Sequence, residues 1–488
     1  MRRLSVTAVV LVLAIVGTAA QPQRTARADG AEAATAKRFA AIRNDPLALL
    51  AFLREMPKGG DLHNHLSGAV YAEKFLRWGA DDKLCLATTA IAIVACDGKT
   101  PQVPLADVME NQSTYSALYN QAIDALSMRH WPETVNGHDH FFQAFAKFGS
   151  TSSKTGEMLA DVTSRAAAER VSYLELMLTP AGTAAFAASQ NVAWDATIPL
   201  TQLLPQVRDR IMDGGKFSAA VKAEALDRLT KAEARRRDLL KCGTPAEDAG
   251  CGVTVRYIAQ VGRGGALAQV FALMLAGFEL ASAATPVVSL NLVQAEDDPH
   301  ALGNFRLHMS MLDFLHARYP TVPITLHAGE LTEGLVPPDA LRFHIRESVV
   351  NGHAARIGHG VDIFNEDDPF ALLRDMAAKK VLVEIALSSN DHILGVKGKR
   401  HPLRMYLQHG VPVTLVTDDM GVARSSHTQE YLKAVEEQDL DYPTLKRMVR
   451  NSIEYAFADS ATKARLKSDL ESALTAFERL QSARAPKS

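Results

Sequence analysis

Eight strand-like runs, one an apolar/polar alternation and seven short runs rich in Val, Ile and Leu, with helix-like stretches between most of them, restrict this chain to very few architectures. The runs cover residues 61–66, 171–178, 253–261, 287–293, 324–328, 355–360, 381–387 and 412–417. Strands apolar on both faces belong to parallel sheets covered by helices. Eight of them predict an α/β chain closed into a (β/α)8 TIM-type barrel rather than an open doubly wound sheet. No Gly-x-Gly-x-x-Gly opens a helix after any strand, and Gly262-Arg-Gly-Gly265 reads as a loop, so a dinucleotide fingerprint is absent.

The remaining sequence is laid around that barrel. Helices are expected over 31–54, 72–80, 105–128 and 138–148, and an elaborated loop over 81–104. Two insertions follow from this reading, 81–135 and 180–251, the second centred on a charged amphipathic helix at 217–240. Residues 265–284 carry no charge except Glu279, yet strands flank them closely, which predicts a buried barrel helix rather than a membrane span. Two or three helices over 444–484 are expected to cap the barrel. His130 falls in the first insertion and His138 and His140 in the helix expected after it, where structural or surface roles are the simplest reading.

Arg2 and Arg3 precede an apolar run at 6–20, and small-residue cleavage sites follow as far as Ala28. The pattern predicts a signal peptide over 1–28, export to the periplasm or medium, and no stable membrane insertion once it is removed. Residues 29–488 then form one barrel domain with its insertions. Cysteine usage agrees with export: Cys85 lies close to Cys96, and Cys242 to Cys251. Four cysteines allow three pairings, and proximity favours two local bridges. The 488 residues are 47% hydrophobic and 22% charged, with a net charge of −2. No basic stripe interleaved with aromatics appears, which argues against nucleic acid as the main partner. The insertion at 81–135 offers a surface for a homodimer.

In barrels of this kind the working residues sit at the carboxyl ends of strands. That rule gathers His63 and His65 on the first strand, His327 on the fifth, His359 on the sixth, and Asp418 and Asp419 after the eighth. Strand side chains repeat every two residues, so His63 and His65 share a face. Three imidazoles and a carboxylate, His63, His65, His327 and Asp418, suit one divalent ion with room for water. A bound Zn2+ lowers the pKa of that water from about 15.7 toward 7, giving a hydroxide nucleophile near neutral pH. His359 is placed to orient it, Glu330 to hand a proton to the substrate, and Asp419 to bind a substrate nitrogen.

Four segments, His-Asn-His65, His327-Ala-Gly-Glu330, Gly358-His-Gly360 and Thr417-Asp-Asp419, occur in this order on the expected strands. Together they resemble the adenosine deaminase family, within the metal-dependent amidohydrolases, over roughly residues 55–460. The leader, the cysteines and the elaboration after the first strand look more like its secreted, growth-factor-related branch. The resemblance implies hydrolytic deamination of adenosine or 2′-deoxyadenosine to inosine or 2′-deoxyinosine, with one Zn2+ held by His63, His65, His327 and Asp418. It implies that Glu330 protonates purine N1, His359 positions the attacking hydroxide and Asp419 holds N7. Two positions depart from the family pattern. Ser67 stands where cytosolic members carry an Asp that reaches a ribose hydroxyl, and Gln294 replaces a glycine whose N–H meets purine N3. Both lie in substrate recognition, so Ser67 and Gln294 remain substrate-binding candidates while the metal set is intact.

Two rival readings remain. A mononuclear amidohydrolase acting on another aminopurine or amide-like substrate keeps the barrel and the ion. A two-metal version lacks the bridging lysine on the fourth strand, although Glu296 offers a carboxylate. A secreted binding or signalling protein with this fold would tolerate a broken metal set, and here every ligand is present.

Overall fold

The computed structural model describes residues 21–131 and 136–484. The apolar run of the expected signal peptide, 6–20, and the last four residues of the first expected insertion lie outside the described residues.

Eleven strands are formed in the described residues. Eight are parallel and make one sheet: β1 (Gly59–His65), β5 (Val171–Leu178), β6 (Thr254–Gly262), β7 (Val287–Val293), β8 (Ile324–Ala328), β9 (Ala354–His359), β10 (Leu382–Ile385) and β11 (Val413–Leu415), adjacent in that order. The sheet closes through a parallel bridge between Asn64 and Asp418. In that bridge Asp418 N–H donates to His63 C=O at 2.9 Å, and His65 N–H donates to Asp418 C=O at 3.1 Å. Barrel closure and the clustering of these three side chains are therefore one event. The (β/α)8 expectation holds, and each strand lies within two residues of its predicted bounds.

The other three strands correct the expectation of a loop over 81–104. β2 (Cys85–Ala87), β3 (Ala92–Val94) and β4 (Gln102–Pro104) form an antiparallel sheet in the order β3-β2-β4. The bridge Cys85–Cys96 ties its centre, and Cys242–Cys251 closes the second insertion before β6. A disulfide lets three-residue strands persist that could not bury enough surface alone.

Two helices predicted as continuous are broken. The first is split into Gln21–Ile42 and Pro46–Glu55, because Asp45 caps the second and its side chain accepts from Leu47 N and Ala48 N with Pro46 at the first position. The second is split at Asn111 into Leu105–Glu110 and Gln112–Ala125. The charge-poor stretch is a buried helix, Leu267–Ala281, as expected. Two capping helices follow the barrel, Tyr442–Glu454 and Ser460–Ala483. The first lies so close to Gly59, which has φ +70°, that a Cβ there would fall 2.9 Å from the Val449 carbonyl oxygen.

One column of buried charge inside the barrel is paired. Arg356 contacts Glu175 at 2.6 Å and Glu384 at 2.5 Å, all three with fully buried side chains. Glu384 reaches on to His63 Nδ1 at 2.7 Å. Buried ions survive only with such partners, and this column joins the barrel interior to the site above it.

Candidate active site

His63, His65 and His327 turn their Nε2 atoms toward a common point. The His63–His327 separation is 3.1 Å and the His65–His327 separation 3.3 Å. Asp418 Oδ1 lies 3.3 Å from His63 Nε2 and 3.4 Å from His65 Nε2. The four candidate ligand atoms all fall within 4.8 Å of one another.

Hydrogen bonding on the far side of each ring decides what those atoms are. His63 Nδ1 faces Glu384 Oε2, His65 Nδ1 faces Gln260 Oε1 at 3.2 Å, and His327 Nδ1 faces Asn291 Oδ1 at 2.9 Å. Asn291 Oδ1 also accepts His327 N–H at 3.0 Å, which fixes that atom as oxygen. Each Nδ1 thus donates, and each ring, when neutral, aims an Nε2 lone pair at the others. Three lone pairs and a carboxylate oxygen at these distances repel one another unless a cation sits among them. Burial works against a proton on His63, yet Asp418 and Glu384 raise its pKa to about 10. A metal ion at Nε2 would take the place of the proton beside Asp418, while Glu384 keeps the proton on Nδ1. Burial keeps His65 and His327 below the ordinary histidine range, and so available as neutral ligands. The residues fit a divalent ion.

Glu330, His359 and Asp418 form a second group of converging polar atoms. Burial first, then Asp418 and Glu296, hold the Glu330 carboxyl well above the usual carboxylate range. His359 Nδ1 lies 3.6 Å from Glu330 Oε1 and 2.9 Å from Asn390 Nδ2. Ser389 Oγ donates to Asp418 Oδ2 at 2.6 Å, leaving Oδ1 toward the histidines. Asp419 is also raised, by burial and by Asp418. It packs so tightly on Gly68 that a Cβ there would fall 1.5 Å from Asp419 Oδ1.

Backbone strain collects at this rim. His359 has φ +69°, Asp418 +54° and Gln294 +124°, in the region that favours glycine. Such residues cost about 1–3 kcal/mol each and persist where the surroundings force them. Gln294 thus keeps a glycine-like backbone. Its side chain packs over Gly264 instead of projecting freely, with Cδ 3.1 Å from a Cβ built there. Ser67 is half-buried after β1. Glu296 is not free to bridge two ions, because its oxygens accept from Gly329 N at 3.1 Å and Glu330 N at 2.8 Å and also meet His344 Nδ1. His140 is buried and donates to Ser127 O at 2.9 Å, His130 is exposed, and His138 pairs with Asp297 at 2.9 Å, tying the helix Gly137–Phe148 to the loop after β7.

The sequence profile of the family described as Adenosine deaminase matches residues 139–473, more than half of the chain. The chain belongs to the adenosine deaminase family. Among the deaminases it resembles is an adenosine deaminase of Clostridium perfringens (strain ATCC 13124), 30% identical over 152 residues, which cover 31% of this chain and 42% of that one. Another is an adenine deaminase of Sinorhizobium fredii (strain NBRC 101917 / NGR234), 32% identical over 169 residues, covering 34% and 48%. The aligned regions span less than half the length of these relatives. Solved structures agree on the fold. An amidohydrolase from Burkholderia ambifaria with bound Zn superposes with a TM-score of 0.57 at 18% identity, over 89% of this chain and 94% of that one. The Arabidopsis N6-mAMP deaminase gives 0.53 at 18% identity, over 86% and 99%.

Sequence reasoning passed over Gln260, Asn291, Glu384, Ser389 and Asn390, which orient the deaminase-family motif residues. A signal for three of them was present. Gln260, Asn291 and Glu384 are polar residues inside apolar strands, where an unpartnered polar group is costly to bury.

Proposed function

We propose that this protein is a zinc-dependent hydrolase that deaminates adenosine and 2′-deoxyadenosine to inosine and 2′-deoxyinosine with release of ammonia. The reading is carried by one observation: three imidazole Nε2 atoms and Asp418 Oδ1 converge beside a buried carboxyl, Glu330, whose pKa burial and Asp418 raise. His63, His65, His327 and Asp418 would hold the ion. A divalent cation bound there supplies Lewis-acid activation of a water. Zinc suits the nitrogen and oxygen donor set; the Burkholderia amidohydrolase contains it.

The chain's own groups take the remaining work. Burial and the neighbouring carboxylates favour the protonated form of Glu330, which delivers its proton to purine N1 as water attacks C6, so the ring's electron pair is accepted without charge build-up. Protonated Asp419 donates to N7, which as an acceptor needs a hydrogen bond of that polarity. His359 orients the attacking oxygen. Gln294 N–H faces N3, and Ser67 contacts the sugar. One proton of the attacking water returns to the Glu330 carboxylate left by protonating N1, the other passes to the C6 amino group, and ammonia leaves as the tetrahedral centre collapses to the C6 carbonyl.

Ser67 replaces a carboxylate that would reach a ribose hydroxyl, and this favours free adenine as the second reading. It is the substrate in the name of the Sinorhizobium relative. Two closed disulfides support an oxidising location and therefore export. Among the described residues no helix is long and apolar enough to cross a membrane. The segment 29–488 is read as one catalytic barrel domain, and the first insertion as a homodimer surface.

Ammonia release is measured across adenosine, 2′-deoxyadenosine, adenine and AMP, before and after chelation and with zinc restored. Zinc-dependent turnover of the nucleosides is the expected result. Activity on none of the four overturns the proposal; activity on adenine alone selects the second reading.

A further inference from the structure

A backbone amide lies three hydrogen bonds away from the His359 imidazole. Leu403 opens the helix Leu403–Gln408, so its N–H has no intrahelical partner. It donates instead to His401 Nδ1 at 3.2 Å. A backbone N–H cannot accept and cannot flip, which makes His401 Nδ1 an acceptor. His401 is only 3% exposed. Burial, with His359 and Lys433 nearby, pushes its pKa down to about 3, so the ring is neutral. Its single proton is therefore on Nε2, which lies 3.0 Å from Asn390 Oδ1.

That contact orients the Asn390 amide. With its oxygen accepting from His401, its Nδ2 faces His359 Nδ1 at 2.9 Å and donates to it. The reversed amide would set Nδ2–H against His401 Nε2–H. His359 Nδ1 is thus an acceptor, and a proton there, in either the other tautomer or the imidazolium, would oppose Nδ2–H. The remaining nitrogen, Nε2, is buried without a hydrogen-bond partner in the structure.

We infer that Asn390 and His401 are positioning residues that hold His359 as its Nε2–H tautomer. On the deaminase reading proposed above, on which the catalytic consequence rests, His359 meets the attacking oxygen as a hydrogen-bond donor. In that form it has no free lone pair with which to take a proton from it. The relay Leu403 to His401 to Asn390 to His359 is independent of the substrate, and its direction is set by the one group that has no alternative state.

Histidine labelled with 15N in the ring, followed by long-range 1H–15N correlation, reads the tautomer directly. The His359 signals are identified by their loss in His359→Gln. In the wild-type protein, unprotonated Nδ1 and protonated Nε2 are expected; a protonated Nδ1 overturns the inference. Asn390→Asp offers only acceptors to His359, so the proton is expected to move to Nδ1. With it kcat should fall about 100-fold, the loss of one positioned hydrogen-bond donor to the attacking oxygen, while KM changes little. An unchanged tautomer in that variant overturns the inference. His401→Phe should leave His359 in a mixture of both tautomers. His401→Gln, whose amide can accept from Leu403 and donate to Asn390, should restore the wild-type pattern. If the wild-type protein deaminates no 6-aminopurine, the functional reading fails while the spectrum still decides the relay.

Discussion

Glu296 accepts the backbone N–H of Glu330 at 2.8 Å, and its other oxygen takes the N–H of Gly329 at 3.1 Å. One carboxylate thus anchors the turn that presents the proposed proton donor. Burial alone would raise this carboxyl, but His344 and Arg263 bring it down to about 2, so it stays ionised and acceptor-only. Glu296→Gln replaces one acceptor by an N–H donor facing another donor. The expected loss is about 1–3 kcal/mol of stability, the cost of stranding a buried polar group. Because Glu330 is displaced without being removed, kcat should fall about 10- to 100-fold, the range seen when partners of active-site ligands are lost. Urea unfolding and steady-state ammonia release measure the two effects; an unchanged kcat would remove Glu296 from the site's supporting structure.

Replacing Glu330 itself separates chemistry from metal binding. Glu330→Gln keeps shape and hydrogen-bonding capacity but cannot deliver a proton. Turnover should drop at least about 100-fold, while bound metal per chain, read by atomic absorption, stays at one. Loss of the metal in this variant would place Glu330 among the ligands.

Most of the barrel and of the motif residues was legible in the sequence, and the reason is burial. Strands buried on both faces must be runs of Val, Ile and Leu, and a histidine or aspartate ending such a run is conspicuous. The small sheet β3-β2-β4 was not legible, because three-residue strands carry no periodicity and depend on Cys85–Cys96 for closure. The break before Pro46 was announced by Asn44-Asp45-Pro46 and hidden by the alanines before it and the leucines after it. The hydrogen-bonding partners of the histidines were harder still. That Glu384 belongs to His63 depends on which strands become neighbours, and no local pattern encodes it.

Glu384 also yields a test of ligand orientation. It holds the Nδ1 proton of His63 at 2.7 Å and so keeps the Nε2 lone pair aimed at the ligand cluster. Glu384→Gln should weaken metal binding about 10- to 100-fold, measured by competition with a chromophoric chelator. Because Arg356 loses a buried partner in the same step, the variant should also unfold at lower urea. Metal affinity equal to wild type would show that the column from Glu175 to His63 serves stability alone.

The pH dependence of stability should carry the mark of Glu430. This residue is 1% exposed in the helix His427–Glu436, where its carboxyl accepts Ser388 N–H at 3.1 Å, one residue before the serine that contacts Asp418. Burial raises its pKa from 4.5 to about 7, against the hydrogen bonds from Ser388. The folded chain therefore binds more protons than the unfolded chain between those two values. Its contribution to stability is greatest below pH 4.5, declines as pH rises toward 7, and is constant above. A shift of this size corresponds to roughly 3 kcal/mol between the limits. Glu430→Gln carries no titrating proton, so its stability relative to wild type should rise between pH 5 and pH 8. Urea unfolding of both proteins at each pH isolates the difference, since every other carboxyl contributes equally. A difference that stays flat, or runs the other way, would mean that Glu430 is ionised in the fold and that Ser388 N–H alone is enough to keep it so.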